Sequence, residues 1–163
     1  MPNNRKSQGE NGEKNYAKMD SYALAFRLID VSILHNFPLE AVAIEESILS
    51  DRLWSSLHAA NVPSLKHETL GAALAVWNEH QDDSILAAVL GEDLMKLKKD
   101  LTNWWDTRNK VIHGIVKAPQ GQGSAITAAN FEKSAMKTAR DGKSLANKVK
   151  RFTQKQIRKA KKG

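Results

Sequence analysis

From Leu86 to Ile115 the chain repeats apolar residues at helical spacing, with Leu86, Leu90, Leu94, Leu97, Leu101, Trp104, Trp105, Ile112 and Ile115 on one stripe when residues are stepped at about 100° each. A helix this long with one continuous apolar side must bury that side against other helices. The rest of the chain supplies them. "YAKMDSYALAFRLIDVSILHNF" (16–37) is helical in composition and apolar around most of its circumference, and Pro38 ends it while opening the next helix, expected over 38–60. "NVP" (61–63) stops that one, and a shorter helix, "HETLGAALAVWNEH" (67–80), follows. The aspartates of "DDSIL" cap the long fourth helix, expected over 84–117 until Pro119 and "PQGQGS" break it, and a fifth runs from about Ile126 toward the C-terminus.

The sequence has few β-branched alternations, no Asn-Gly pair set between apolar runs and no detectable internal repeat. The expectation is an all-α, up-and-down bundle of about five helices. At 163 residues there is room for one domain with a core. Its expected limits are 15–152, after a disordered lead-in (1–14) of Asn, Gly, Gln, Ser and charges, and before a basic tail (153–163).

Without cysteine there is no disulfide, no thiolate metal site and no thiol catalysis, which fits a reducing cytoplasm. No apolar run is long enough to cross a membrane, and the N-terminus lacks the apolar stretch of a secretory signal, so a cytoplasmic protein without a membrane partner is expected. The histidines show no ligand-type spacing and no phosphate-loop or nucleophile-elbow motif occurs, so no metal or cofactor is expected.

Two charges interrupt the apolar stripes. Arg108 falls in the middle of the fourth helix's stripe, and Glu46 is placed at the centre of a stripe on the second helix formed by Leu39, Val42, Ala43, Leu49, Leu53, Trp54 and Leu57. A charge taken from water costs several kcal/mol unless it finds a partner, so the two are expected to meet. Beside Arg108 stand Asn109 and His113, which share one flank of the helix at i, i+4. An imidazole suits proton transfer at neutral pH. The pair reads either as a structural bridge, or as Glu46 holding Arg108 so that its guanidinium faces a phosphate. A second apolar face of the same helix, Ala41, Ile44 and Ile48, serves either as a contact surface for another copy or as packing for the first helix.

The hexapeptide "RNKVIH" on the last long helix of a compact all-α domain resembles the HEPN superfamily (higher eukaryote and prokaryote nucleotide-binding domains), with Glu46 similar to an acidic position in several of its groups. The order "EESILSDRL", "TLGAAL", "RNKVIHG" also looks like the mannitol-repressor-like branch, which is associated with regulation. Ile115 stands where some toxin members carry a tyrosine. The resemblance implies a metal-independent endoribonuclease, a homodimer with both motifs in one cleft, that cleaves single-stranded RNA to 2′,3′-cyclic phosphate ends. In that scheme His113 moves the proton, Arg108 stabilises phosphoryl charge and Asn109 orients either group. It further implies a toxin or phage-defence role with an antitoxin or regulatory partner. The alternative is a non-catalytic regulatory or interaction protein.

A formal charge of +7 fits a polyanionic partner. After Asp141 the chain has no acid, and Lys148, Lys150, Arg151, Lys155, Arg158 and Lys159 form the candidate nucleic-acid contacts. Such a run is either a solvated helix end or a sequence-independent phosphate binder. A helical stripe of Phe131, Ala135, Thr138, Leu145, Ala146, Val149 and Phe152 predicts docking up to Phe152 and fraying beyond it.

Overall fold

The computed structural model describes the backbone of residues 6–80, 84–114 and 128–160, and side-chain environments over 16–79, 96–113 and 130–155. The described residues form an all-α bundle of five helices, α1 (Lys6–Leu34), α2 (Pro38–Ala59), α3 (Leu70–His80), α4 (Ser84–Gly114) and α5 (Ala128–Ala160). No strand occurs among them. Pro38 sits in the first turn of α2, where its missing N–H costs nothing. Asn36 and Asn61 take positive φ just after α1 and α2, the left-handed exit that asparagine tolerates better than most residues.

The central contact is α2 against α5. Helix α1 lies antiparallel to α2, tied by Lys18 to Asp51 at 3.0 Å near one end and Ser32 to Glu40 at 3.5 Å near the other. Helix α4 runs antiparallel to α5, with Lys148 on Asp100 at 3.2 Å and the Trp104 indole N–H donating to the Thr138 carbonyl at 3.0 Å. Leu49 and Leu53 of α2, Leu101 of α4 and Val149 of α5 are fully buried where these helices meet.

Two expectations about element limits change. Helical backbone begins at Lys6, inside the segment read as a lead-in. Once Tyr22 and Ile29 dock, the costly nucleus exists, and each further residue only extends it. Helix α5 continues to Ala160 instead of fraying after Phe152, because Thr153 is fully buried and returns its hydroxyl to the Val149 carbonyl at 3.0 Å. Residues 115–119, expected to finish the fourth helix and its stop, lie outside the described residues.

The face of α2 is also rotated relative to the expected stripe. Ala41, Val42, Glu45, Ile48, Leu49, Arg52, Leu53 and Ser56 are buried, whereas Ala43 is exposed and Glu46 sits at the rim. The residue at the centre of the buried face is therefore Glu45, fully inaccessible, with both carboxyl oxygens sealed and, among the described residues, only the Lys143 backbone amide near them, short of a well-formed hydrogen bond. Its space is made by Gly142 of α5: a Cβ there would overlap the Glu45 carboxyl and come within 2.7 Å of the Trp104 indole nitrogen. Burial pushes the Glu45 carboxyl up to about 9, with Asp141 adding to the shift and the Lys143 backbone amide and ammonium opposing it. The acid is held neutral at the crossing of α2, α4 and α5. Ala41 and Ile48 are buried and Ile44 is partly buried, and a groove places Ile44 and Ile48 beside Tyr22 and Ala25 of α1, so this face packs on the first helix of the same chain.

Candidate functional site

Near the C-terminal end of α4 the chain presents Trp105, Arg108, Asn109 and His113 within two and a half turns. Trp105 is partly buried, and α3 packs on its indole so closely that a Cβ on Gly71 would lie 3.1 Å from it. The Arg108 guanidinium lies over this indole, 5.2 Å from the ring centroid. The spacing is i, i+3, which puts both side chains on one side of the helix.

Glu46 reaches from α2 and pairs with the second terminal nitrogen of Arg108. The other terminal nitrogen donates to Asn109 Oδ1 at 2.9 Å. The two charges inferred to meet do so, at the rim of the core, with side chains 19% and 22% exposed. Arg108 is thus fixed from three sides, by a carboxylate, an amide and an aromatic face.

The donor inventory limits what remains. A guanidinium has five N–H groups. Two are engaged and Nε is buried without a partner among the described residues, which leaves one further hydrogen on each terminal nitrogen there. Hydrogen bonds from a guanidinium to an anion are charge-assisted and therefore among the stronger ones.

His113 stands on the Asn109 flank one turn further along, exposed, and has no hydrogen bond or ion pair among the described residues. Arg108 and His113 themselves diverge by about 140° around the helix. Asn109, which accepts a hydrogen bond from the guanidinium, stands between them around the helix.

The basic residues of α5 are placed elsewhere. Asp100, which holds Lys148, lies about 20 Å down α4 from His113, and the remaining tail residues lie further still. Lys148 is neutralised by Asp100, and Lys150 sits 5.3 Å from the centre of the Phe26 ring. Arg151 and Lys155 are exposed, whereas Arg158 and Lys159 belong to α5 but their side chains lie outside the described residues. The structure brings Glu46, Arg108 and Asn109 together with His113 beside them, and separates all four from the tail.

One other polar cluster invites a catalytic reading. Ser64, His58 and Glu68 are in contact beside a cleft of about 650 Å³ lined by Lys18, Glu46, Ser50, Asp51, His58 and Glu68. Serine and glutamate both meet His58 Nε2, at 3.2 and 3.0 Å. A relay needs the acid on one ring nitrogen and the nucleophile on the other, so this trio does not activate its serine. No cluster of acids and histidines able to hold a metal occurs among the described residues.

Two residues of this region are not recognised as such from sequence alone. Trp105 reads as core, yet it also forms the floor under Arg108, and the i, i+3 spacing to an arginine was the available signal. Glu45 is hidden by its neighbour, since adjacent glutamates differ by only 100° and the choice between them depends on which flanking residues define the buried face. No family model, curated protein or solved structure matches this chain.

Proposed function

We propose that the chain is a metal-independent endoribonuclease of HEPN type acting on single-stranded RNA, with Arg108, Asn109 and His113 at its centre. The observation that carries this reading is the three-sided clamp on Arg108 next to an unengaged, exposed imidazole. A pre-positioned guanidinium binds the phosphodiester and stabilises the charge that grows on its oxygens during attack, at little reorganisation cost. His113 takes the proton from the RNA 2′-hydroxyl or delivers one to the departing 5′ oxygen. The 2′ oxygen forms its bond to phosphorus as the bond to the 5′ oxygen breaks, leaving a 2′,3′-cyclic phosphate and a 5′-hydroxyl. Asn109 and Glu46 position Arg108. A cytoplasmic setting, a toxin or phage-defence role and an antitoxin or regulatory partner belong to the same proposal.

The test follows from the attacking group. Labelled single-stranded RNA incubated with the protein in EDTA is expected to yield cyclic-phosphate ends, and the same strand with 2′-deoxy sugars is expected to stay intact. Cleavage of the deoxy strand, or cleavage only when metal is added, contradicts the mechanism.

One observation favours a second reading. Glu46 already neutralises Arg108 and Nε is enclosed, as in a bridge whose purpose is to fix α2 against α4. In that case the chain is a non-catalytic regulatory or interaction protein, and the exposed Arg151 and Lys155 contact nucleic acid through phosphates.

A further inference from the structure

Arg52 of α2 is 9% exposed, and its guanidinium has no carboxylate partner and no hydrogen bond among the described residues. What it meets is the face of Tyr22 on α1, 3.8 Å from the ring centroid, while its Nε is sealed without a partner. A ring face returns less than the burial of an ion takes away, so a charge placed here calls for an anion.

The acids nearest to it among the described residues are committed or turned away. Asp51 accepts from the Tyr22 hydroxyl and pairs with Lys18 at 3.0 Å. Asp20 stands two residues from Tyr22, about 200° round α1. Glu45 shares Arg52's side of α2 but lies seven residues back, about 10 Å along the axis, and is neutral. Helix α5 runs antiparallel to α1, with Lys143 on Asp30 and Lys150 on Phe26, and hence parallel to α2. The register that sets Glu45 against Gly142 therefore sets Arg52 near Val149, and the chain has no acid after Asp141.

A second cation converges on the same stretch of α1. Lys150 of α5, partly buried, sits 5.3 Å from the centre of the Phe26 ring and has no ion pair among the described residues. Phe26 and Tyr22 are i, i+4 neighbours on one side of α1. Two helices thus bring unpaired cations to adjacent rings of a third, where they repel each other unless an anion joins them. We propose that Arg52 and Lys150 bind a phosphate group at the junction of α1, α2 and α5. The planar guanidinium matches phosphate oxygens and the ammonium adds a point charge. Because so little of Arg52 is open, an internal phosphodiester flanked by its sugars does not reach it, whereas a free phosphate or a terminal phosphoryl group enters end-on.

This site is separate from the one around Arg108. Arg52 lies six residues beyond Glu46 on α2, about 9 Å further along the axis and about 120° round it. The inference does not rest on any activity of Arg108 or His113. A ligand held only by the folded chain stabilises it in proportion to occupancy, so the filled site ties three helices together and the empty one leaves a buried charge unpaired.

Calorimetric titration of the full chain with inorganic phosphate at constant ionic strength, with thermal melts over the same series, tests the site. Binding is expected in the wild type, to persist in Arg108→Gln, and to weaken about tenfold or more in Arg52→Met and by a smaller factor in Lys150→Gln. Without phosphate, Arg52→Met is expected to melt above the wild type, since it keeps a packed stem and removes the unpaired charge. The order is expected to reverse once phosphate saturates the wild type. A nucleoside 5′-monophosphate titrated in parallel separates the sources: tighter binding than phosphate assigns the site to a nucleotide's phosphoryl group, equal or weaker binding to the free ion, and both uphold it. No phosphate binding, binding indifferent to Arg52→Met, binding abolished by Arg108→Gln, or an Arg52→Met protein that melts below wild type in phosphate-free buffer overturns the proposal.

Discussion

Arg108 is held by contacts of three kinds, and their value is measurable separately from any chemistry. Removing it leaves Glu46 charged, partly buried and without its cation, so Arg108→Ala is expected to cost about 2 kcal/mol of stability. His113 is exposed and free of partners among the described residues, so His113→Ala is expected to change stability by less than ~0.5 kcal/mol. Denaturant titrations of both variants read this contrast. Equal losses would mean that His113 has a structural role its exposure does not indicate. At this scale much was legible in the sequence, because an arginine inside an apolar stripe demands an anion and the chain offered one at Glu46. What periodicity could not deliver was the distinction between Glu45 and Glu46. Both readings of α2 satisfy the pattern, and only the partners, α1 and α5 on one side and Arg108 on the other, settle which glutamate goes in.

Among the elements, the crossing of α2, α4 and α5 depends on one missing methyl group. Gly142 is in mid-helix, where alanine would ordinarily be favoured by about 1 kcal/mol. Here a Cβ meets the Glu45 carboxyl and the Trp104 indole, two groups with no solvent to retreat into. Gly142→Ala is expected to destabilise the fold by about 1–3 kcal/mol, and combining it with Glu45→Ala, which vacates the space, to recover part of that loss. Thermal melts of the single and double variants decide it, and a Gly142→Ala protein that melts higher than wild type would refute the close packing. Helix number and order were visible from Pro38, the "NVP" stop and the apolar spacing. The ends were not. Lys6 and Ala160 are helical because docking of Tyr22, Ile29 and Thr153 carries the helix outward, and that docking is a tertiary fact that local composition does not encode.

For the whole molecule, Glu45 couples stability to pH. Its folded value of about 9 is above the ordinary 4.5 expected in the unfolded chain, so its contribution is fully favourable below pH 4.5 and is lost progressively as pH rises through 9. At pH 7 keeping it protonated costs about 3 kcal/mol. Glu45→Gln, which resembles the neutral acid, is expected to match wild type near pH 4 and to exceed it by roughly that amount at pH 7. Unfolding free energies across pH 4–9 report this, and parallel curves for the two proteins would show that Glu45 is not the group responsible. The tail was readable as basic, but its distance from His113 was not, since it follows from the antiparallel pairing of α4 and α5.

On the proposed reading "RNKVIH" does chemistry and is more than a strut. Its most direct test is cleavage of labelled single-stranded RNA, in EDTA, by wild-type and His113→Ala protein purified side by side and shown to melt at the same temperature. Cleavage by the wild type and none by the variant is the predicted result. Equal cleavage by both, or none by either across several RNAs, would contradict it and leave Glu46 and Arg108 as a bridge between two helices.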